Sequence, residues 1–326
     1  MRWGIVGCGD VATKKAGPSF ANTPRARVVA AADTCLERAS ALARQFGPAR
    51  AYCRFEDLLA DPEVEAVYLA TPPVFHHPQT LAAAAAGKHI LCEKPMALNV
   101  AQCREMVRAC RSNCVTLAVA YYRRFWPQTA AMKSFIEAGE IGEVVGARIQ
   151  VTGSVMRESE AVRAWKLDPA MSGGGFLMDV GCHRIDLLLH LLGEITDVTA
   201  FTDAVGWKFA VDNSSNILIR FCSGAHAMAA FHWTVGFFTD EFEIIGTGGS
   251  IVAAPLGGAH ITIKTSAGVR EYATPRAEFT HVALLAAVEA GALNGLVGTE
   301  AIKVNQVIEA AYLSSRERRT VAIGEL

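Results

Sequence analysis

The first 120 residues alternate short apolar runs with longer segments of helical period, and this alternation constrains the fold most strongly. The apolar runs cover residues 3–6, 27–32, 66–70, 89–92 and 115–120. Short apolar runs of this kind are typical of strands buried in a parallel sheet, and the helical segments between them are typical crossover connections. The pattern predicts an α/β domain with a parallel sheet that carries helices on both faces.

After about residue 122 the pattern changes. Helical segments near residues 128–138 and 178–192 are followed by strand pairs with turn signals between them, and a last helix is expected over residues 299–316. Strands joined by short glycine-containing turns pair antiparallel. We therefore predict a second, α+β domain with a mainly antiparallel sheet, and divide the chain into residues 1–121 and 122–326.

The charge and cysteine content exclude several classes of function. Lys and Arg number 31 against 32 Asp and Glu, which argues against a nucleic-acid-binding surface. The nine cysteines contain no C-x-x-C pair, so neither a zinc site nor a redox pair is expected. No run approaches the ~18 apolar residues of a membrane span, and the apolar run at residues 3–6 is too short for a signal peptide. These patterns predict a cytoplasmic protein with no membrane contact.

The stretch GIVGCGDVA places small residues directly after the first strand and at the start of a helix. Gly7 permits a tight turn, Gly9 lets the backbone approach a pyrophosphate, and Ala12 lets helix and strand pack closely. The helix N-terminus adds free N–H groups for phosphate oxygens. The loop is therefore predicted to bind a dinucleotide through Gly7, Cys8, Gly9, Asp10, Val11 and Ala12.

Asp33 ends the second strand, 21 residues beyond Ala12. This is about the distance at which an acidic residue meets the adenosine ribose hydroxyls. A carboxylate there repels a 2′-phosphate, and Thr34 and Cys35 follow it rather than an arginine, so NAD is favoured over NADP. The alternative is that Asp33 only caps the helix that starts at Cys35.

Four blocks resemble the Gfo/Idh/MocA family of oxidoreductases: GIVGCGDVA, LATPPVFHHPQTLAAAAAGKHILCEKPMAL, AYYRRFWP and GGGFLMDVGCHRIDLLLHLLG. The resemblance implies an N-terminal Rossmann domain, a C-terminal α+β domain with an open sheet, and an active site between them where a nicotinamide meets a sugar or polyol. It also implies a homodimer or homotetramer formed through the C-terminal sheet.

Lys94 follows the apolar run at residues 89–92, at the carboxyl edge of the sheet where such folds bind ligands. Pro95 disfavours helical geometry at Lys94 and so restricts its direction. From the residues alone, Glu93 and Lys94 form either a surface pair or part of a site. The resemblance implies that Lys94 contacts both substrate oxygen and cofactor. Glu93, assigned to the cofactor site, either steadies Lys94 or faces solvent.

The block MDVGCHRID places Asp179 and His183 four residues apart on one helix face, with Asp186 a further turn along. An imidazole can take an alcohol proton, and a carboxylate can orient it. A metal site on one helix is disfavoured, and Asp186 is either a support or an ordinary helix charge. The resemblance implies that Asp179 and His183 are the catalytic pair. The glycines at 173–175 suit a close backbone approach to a ligand, or a plain flexible loop.

The resemblance also assigns residues at the edges of the site. Thr71, Pro72 and His76 lie at the cofactor edge, although a histidine such as His76, taken alone, is more often a helix cap or a surface residue. Side chains that suit sugar hydroxyls or the pocket wall are Tyr122, Arg123 and Trp165. A basic, aromatic linker explains Tyr122 and Arg123 equally well, and simple packing explains Trp165.

These observations predict an NAD(P)-dependent dehydrogenase or reductase that acts on a sugar, polyol or related cyclic hydroxy compound. His183 is the expected general base, Asp179 its orienting partner and Lys94 the donor to the reacting oxygen. One alternative is a non-catalytic regulator that senses dinucleotide, which has no need of these three residues. Another is a glycosidase that uses NAD transiently and releases no NADH.

Overall fold

The computed structural model describes residues 1–46, 49–277, 281–291 and 297–326. Internal contacts divide the chain into a first unit of residues 1–122 and 279–303 and a second unit of residues 123–278 and 304–326. The predicted division leaves residues 281–291 and 297–303 in the second domain, whereas the structure groups these described residues with the first unit. One reason is a buried link from the first strand, because the indole N–H of Trp3 donates to Glu289 at 2.7 Å.

The first unit contains six strands and six helices in its described part, numbered in chain order over the whole molecule. The strands are β1 (Arg2–Val6), β2 (Arg27–Ala32), β3 (Arg50–Tyr52), β4 (Ala66–Leu69), β5 (His89–Cys92) and β6 (Leu117–Val119). The helices are α1 (Gly17–Ala21), α2 (Leu36–Ala43), α3 (Phe55–Leu59), α4 (Pro73–Ala85), α5 (Val100–Ser112) and α10 (Val282–Glu289). A π-helical turn, Ala12–Ala16, precedes α1.

The six strands form one parallel sheet in the order β3-β2-β1-β4-β5-β6. Its central strands are almost fully buried, as expected for a parallel sheet covered on both faces. The strand order reverses between β1 and β4, and open sheets of this type bind ligands outside the carboxyl ends of the strands at such a reversal. The ends of β1, β4 and β5 therefore share the edge where a ligand is expected.

The second unit has a mixed sheet of nine strands in the order β14-β13-β12-β11-β7-β10-β9-β8-β15. Among the described strands of this second sheet, only β7 and β10 pair in parallel, so the sheet is mainly antiparallel. Its strands are β7 (Val144–Ser154), β8 (Ile195–Asp203), β9 (Ser214–Phe221), β10 (His226–His232), β11 (Thr234–Gly246), β12 (Gly249–Ala253), β13 (His260–Thr265), β14 (Gly268–Ala273) and β15 (Val321–Ala322). The predicted fold class is confirmed for both sheets.

The described part of the second unit contains the helices α6 (Pro127–Glu137), α7 (Glu160–Lys166), α8 (Pro169–Ser172) and α9 (Cys182–Leu192). Helix α11 (Gly298–Glu317) begins in the first unit and continues in the second. A π-helical turn, Leu177–Gly181, leads directly into α9. No helix in the described part of the chain combines the length and apolarity that a membrane crossing requires.

Strands β8, β9 and β10 alternate between buried and exposed residues. One face contributes Val198, Ile217 and Ala229 to the core, at 0 to 2% exposure. The opposite face leaves Phe201, Leu218 and Met228 between 55 and 67% exposed. This second face is an open sheet surface with large apolar side chains.

Candidate active site

The loop after β1 has the geometry that its glycines predict. Gly7 has a φ of +86°, and a Cβ there would lie 2.9 Å from the Ala70 carbonyl at the end of β4, so no larger residue fits without a shift. At Gly9 a Cβ would meet nothing within 4 Å, which leaves open space beside the backbone. Ala12 is fully buried, whereas Asp10 is exposed and pairs with Lys14 at 2.8 Å. Asp10 and Val11 are both helical and lead into the π-helical turn at Ala12–Ala16.

Asp33 connects the glycine loop to the start of α2. One carboxylate oxygen accepts from the backbone N–H of Cys8 at 2.9 Å, and the other accepts from the N–H of Cys35 at 2.9 Å. The Arg38 guanidinium also donates to this second oxygen, at 2.6 Å. Although burial alone would raise it, the pKa of Asp33 is lowered because Arg38 and the two amides donate to the carboxylate. Asp33 thus joins the glycine loop to Cys35, the residue before α2, and an arginine five residues on faces it.

Lys94 leaves the end of β5 next to a buried carboxylate. Glu93 is 6% exposed, and its Oε1 accepts from the Tyr68 hydroxyl at 2.6 Å and from His281 Nε2 at 2.8 Å. Its Oε2 lies 3.2 Å from the backbone N of Lys94. Of the two alternatives for Glu93, solvent exposure is therefore excluded, because its carboxylate is held inside the first unit.

His76 links the ends of β4 and β5. The ring is 1% exposed, with Nδ1 2.9 Å from the Pro95 carbonyl and Nε2 2.8 Å from the Thr71 carbonyl. Burial lowers the pKa of His76, and the two carbonyl acceptors oppose that shift. Thr71 donates to Gln79 at 2.6 Å, and Pro72 is the N-cap of α4. The His76 ring fixes the backbone on both sides of the expected cofactor edge.

In the second unit, Asp179 lies in the π-helical turn before α9 and pairs with a lysine that the sequence analysis missed. Lys166 Nζ is 2.9 Å from the Asp179 carboxylate and 2.9 Å from Glu158. Burial alone would lower the pKa of Lys166, but the two carboxylates raise it. The ammonium also lies 5.9 Å from the ring centroid of Trp165, which is half-buried. Lys166 follows Trp165 directly, so its position beside the predicted pocket wall was the available signal.

His183 lies on α9 and is 4% exposed. Two buried ion pairs orient this helix: Arg184 with Asp240 at 2.5 Å, and Asp186 with Arg124 at 2.6 Å. Burial raises the pKa of Asp186 to about 6, against the opposing effect of Arg124. Asp186 therefore supports the helix from inside the unit and is not an ordinary exposed helix charge.

The glycines before the helix approach the protein's own chain. A Cβ on Gly175 would lie 1.7 Å from the backbone oxygen of Asp212, a distance that excludes any side chain. The Asp212 carboxylate accepts from the N–H groups of Gly175 and Leu177 at 2.7 and 3.0 Å, and from the Tyr312 hydroxyl at 2.6 Å. The expected close approach exists, but its partner is Asp212 and not a ligand.

Two of the residues assigned to the substrate are well buried. Tyr122 is 5% exposed, and its ring lies 4.9 Å from that of His281 within the first unit. Arg123 is 8% exposed, lies 3.6 Å from Asp240 and stacks 4.6 Å from the Trp126 ring within the second unit. These contacts give both residues packing roles that the substrate assignment did not include.

The two halves of the chain match the two domains of one family. Residues 1–121 match the profile described as oxidoreductase family, NAD-binding Rossmann fold, and residues 129–252 match the GFO/IDH/MocA C-terminal domain. The chain belongs to the Gfo/Idh/MocA family. The resemblance drawn from the four sequence blocks and the prediction of an enzyme of the dehydrogenase and reductase type are thereby confirmed.

Individual proteins are similar to this chain in sequence or in fold. The 1,5-anhydro-D-fructose reductase of Ensifer adhaerens is 33% identical over 77% of this chain and 75% of its own. The aldose-aldose oxidoreductase of Caulobacter crescentus, solved with glycerol, is 28% identical with a TM-score of 0.88 over 99% of both chains. A levoglucosan dehydrogenase solved with NADH and levoglucosan shares the fold, at 24% identity and a TM-score of 0.88 over 99% of both chains.

Proposed function

We propose that this Gfo/Idh/MocA protein transfers a hydride between NAD and a secondary alcohol or ketone of a sugar, polyol or related cyclic compound. The observation that carries the proposal is the shared edge of the first sheet. The open backbone at Gly9 after β1, the Thr71 carbonyl after β4 and the Lys94 side chain after β5 all follow carboxyl ends of neighbouring strands. Relatives with sugar-derived names support the substrate class.

The residues of the first loop fit a dinucleotide. Gly7 keeps the backbone close to β4, and Gly9 leaves the space that a pyrophosphate needs beside a helix start. The bound nicotinamide supplies the hydride acceptor or donor. Asp33, held ionised by Arg38 and two amides, would accept from the ribose hydroxyls, which is why we propose NAD rather than NADP.

The protein must then move a proton at the reacting oxygen. In this proposal His183 takes the alcohol proton, Asp179 orients the imidazole, and the Lys94 ammonium donates to the oxygen as negative charge develops on it. A positioned acid or base of this kind contributes roughly 10²- to 10⁴-fold in rate. Lys166 places a positive charge next to Asp179 and so restricts where its carboxylate points.

The test is a panel of polyols and ketosugars against NAD(H) and NADP(H), followed by nicotinamide absorbance. We expect turnover with at least one cyclic substrate, and loss of at least about 10²-fold in Lys94→Ala with cofactor binding still measurable. Lys264→Ala, which removes an exposed lysine on β13, is the control.

Near-normal turnover in Lys94→Ala would contradict the proposed mechanism. Bound cofactor without any turnover would favour the regulator, and turnover of a glycoside without net NADH would favour the glycosidase.

We also propose that the open face of β8, β9 and β10 joins a second copy of the chain. Phe201, Leu218 and Met228 give this face large exposed apolar side chains, and such a patch commonly marks an interface. Sedimentation equilibrium tests the proposal. A monomer at micromolar concentration would reject it.

A further inference from the structure

The carboxylate of Glu93 has no assigned part in hydride transfer, yet it is deeply buried directly beside Lys94. Two donors meet on its Oε1: the Tyr68 hydroxyl at 2.6 Å and His281 Nε2 at 2.8 Å. Tyr68 is fully buried and His281 is 1% exposed. Burying a carboxylate costs free energy unless it is well hydrogen-bonded. The two donors supply the hydrogen bonds that the buried Glu93 carboxylate needs.

Both donors are fixed by the core of the first unit. Tyr68 lies on β4, the strand next to β5. His281 precedes α10, and its backbone N–H donates to the Ser19 hydroxyl at 2.7 Å. The His281 ring packs against the rings of Tyr68 and Tyr122, with centroids 5.9 and 4.9 Å apart. The imidazole is therefore held in place independently of Glu93.

Tyr68 and His281 together form a clamp on the Glu93 carboxylate, and this clamp keeps Glu93 charged. Burial alone would raise its pKa, but the hydrogen bond and electrostatic interaction with His281, the Lys94 charge and donation from Tyr68 lower the pKa to about 2. Glu93 is thus a fixed anion at neutral pH. Its second oxygen lies 3.2 Å from the backbone N of Lys94. The Glu93 carboxylate therefore contacts the Lys94 backbone and also interacts with the positive charge of the Lys94 side chain.

We propose that Tyr68 and His281 are positioning residues, which hold the Glu93 carboxylate so that it orients the Lys94 ammonium toward the reacting oxygen. This inference rests on the proposed function of Lys94. It assigns the segment around residue 281 a part in the reaction although it lies 188 residues from Glu93 in sequence. The two donors act only through Glu93 and touch neither substrate nor cofactor in this mechanism.

The matched variants are Tyr68→Phe, His281→Leu and His281→Gln. Phe removes one hydroxyl from an otherwise unchanged ring, and Gln carries an amide N–H near the position of the imidazole Nε2. We expect kcat to fall roughly 10- to 100-fold in Tyr68→Phe and His281→Leu, because small misplacements of a reacting group cost about this much. The Kd for NADH should change less than about twofold, and His281→Gln should recover most of the rate.

Circular dichroism confirms at the assay temperature that each variant is folded. An unchanged kcat in folded Tyr68→Phe and His281→Leu would overturn the inference. So would a Gln variant no better than Leu, or a loss of NADH affinity in proportion to kcat, because each indicates a merely structural role.

A second measurement separates this inference from the proposed function. The rate at which an N-hydroxysuccinimide ester acetylates Lys94 is followed by mass spectrometry, with Lys264 as the internal reference. Losing or displacing a neighbouring anion lowers a lysine pKa. Lys94 should therefore react roughly 3- to 10-fold faster in Glu93→Gln, which removes the anion, and in His281→Leu, where the Glu93 carboxylate is no longer held beside Lys94. If the wild type turns over no substrate but this rate rises, the function fails and the clamp stands. An unchanged rate would overturn the clamp whether or not the enzyme is active.

Discussion

The segment that carries Lys94 and the helix that carries His183 are held by different means. At the end of β5, the Glu93 carboxylate accepts from a tyrosine hydroxyl and an imidazole N–H, and His76 contacts backbone carbonyls. Along α9, Arg184 and Asp186 each form a buried ion pair with another element. A strand end offers free backbone groups to its neighbours, whereas a helix uses its own backbone groups internally, so side chains must orient it. The difference implies that losing a single charge disturbs the orientation of α9 more than it disturbs the end of β5.

The largest effect is expected at Asp240. Asp240→Asn removes the negative charge that Arg184 and Arg123 share, and Arg184 is only 1% exposed. Breaking a buried pair in this way costs about 3–5 kcal/mol, since a buried charge loses its partner. Urea unfolding of the second unit measures this loss.

The matched control on β11 is Glu243→Gln. Glu243 pairs at 3.0 Å with Arg148, which is 62% exposed, so less than about 1 kcal/mol should be lost. Equal, small losses in both variants would show that the buried pair does not orient α9, and the contrast between the two regions would disappear.

An intermediate effect is expected at Glu93, and it depends on pH. The folded pKa of about 2 lies below the ordinary 4.5, so the ionised carboxylate stabilises the fold above pH 4.5. That contribution, about 3 kcal/mol, is lost as the pH falls from 4.5 to 2. Urea unfolding of the wild type between pH 2 and 6 should therefore show a steeper acid loss than Glu93→Gln.

Glu63→Gln, which changes a half-exposed carboxylate in the same unit, should follow the wild-type curve. Parallel curves for the wild type and Glu93→Gln would show that the clamp does not hold a charged group. The strand end would then be supported by packing alone.

Local sequence patterns predicted the parts of the molecule that depend on neighbours in the chain. The strand runs, the turn at Gly7 and the position of Lys94 after β5 all follow from residues within a few positions. The supports could not be predicted in this way. His281 reaches Glu93 across 188 residues and Asp240 reaches Arg184 across 56, and no periodicity records such a contact. Asp186 could be read from the sequence as either a support or an ordinary helix charge, because its partner Arg124 lies on another element.

The glycines at 173–175 show the same limit. Their spacing indicated a close backbone approach, which Gly175 makes, but the partner was assigned to a ligand. A glycine pattern records that a side chain is excluded and carries no information on what excludes it. The π-helical turn at Leu177–Gly181 was likewise not predicted, since its apolar spacing fits an ordinary α-helix.

The smallest effect is expected at the end of β2, where the support is similar in kind but exposed. Asp33 accepts from two amides and from Arg38, and Arg38 is 56% exposed. Solvent screens an exposed pair, so Arg38→Ala should cost less than about 1 kcal/mol of stability.

The functional effect of Arg38→Ala lies in cofactor choice, because the guanidinium offsets the repulsion between the Asp33 carboxylate and a 2′-phosphate. The ratio of kcat/KM with NADP to that with NAD should therefore fall about two- to fivefold in Arg38→Ala. Arg44→Ala, which removes an exposed arginine just after α2, should leave the ratio unchanged. If the ratio rises in Arg38→Ala, the guanidinium does not counter the Asp33 charge. If Arg38→Ala costs as much stability as Asp240→Asn, burial is not what separates the strong supports from the weak one.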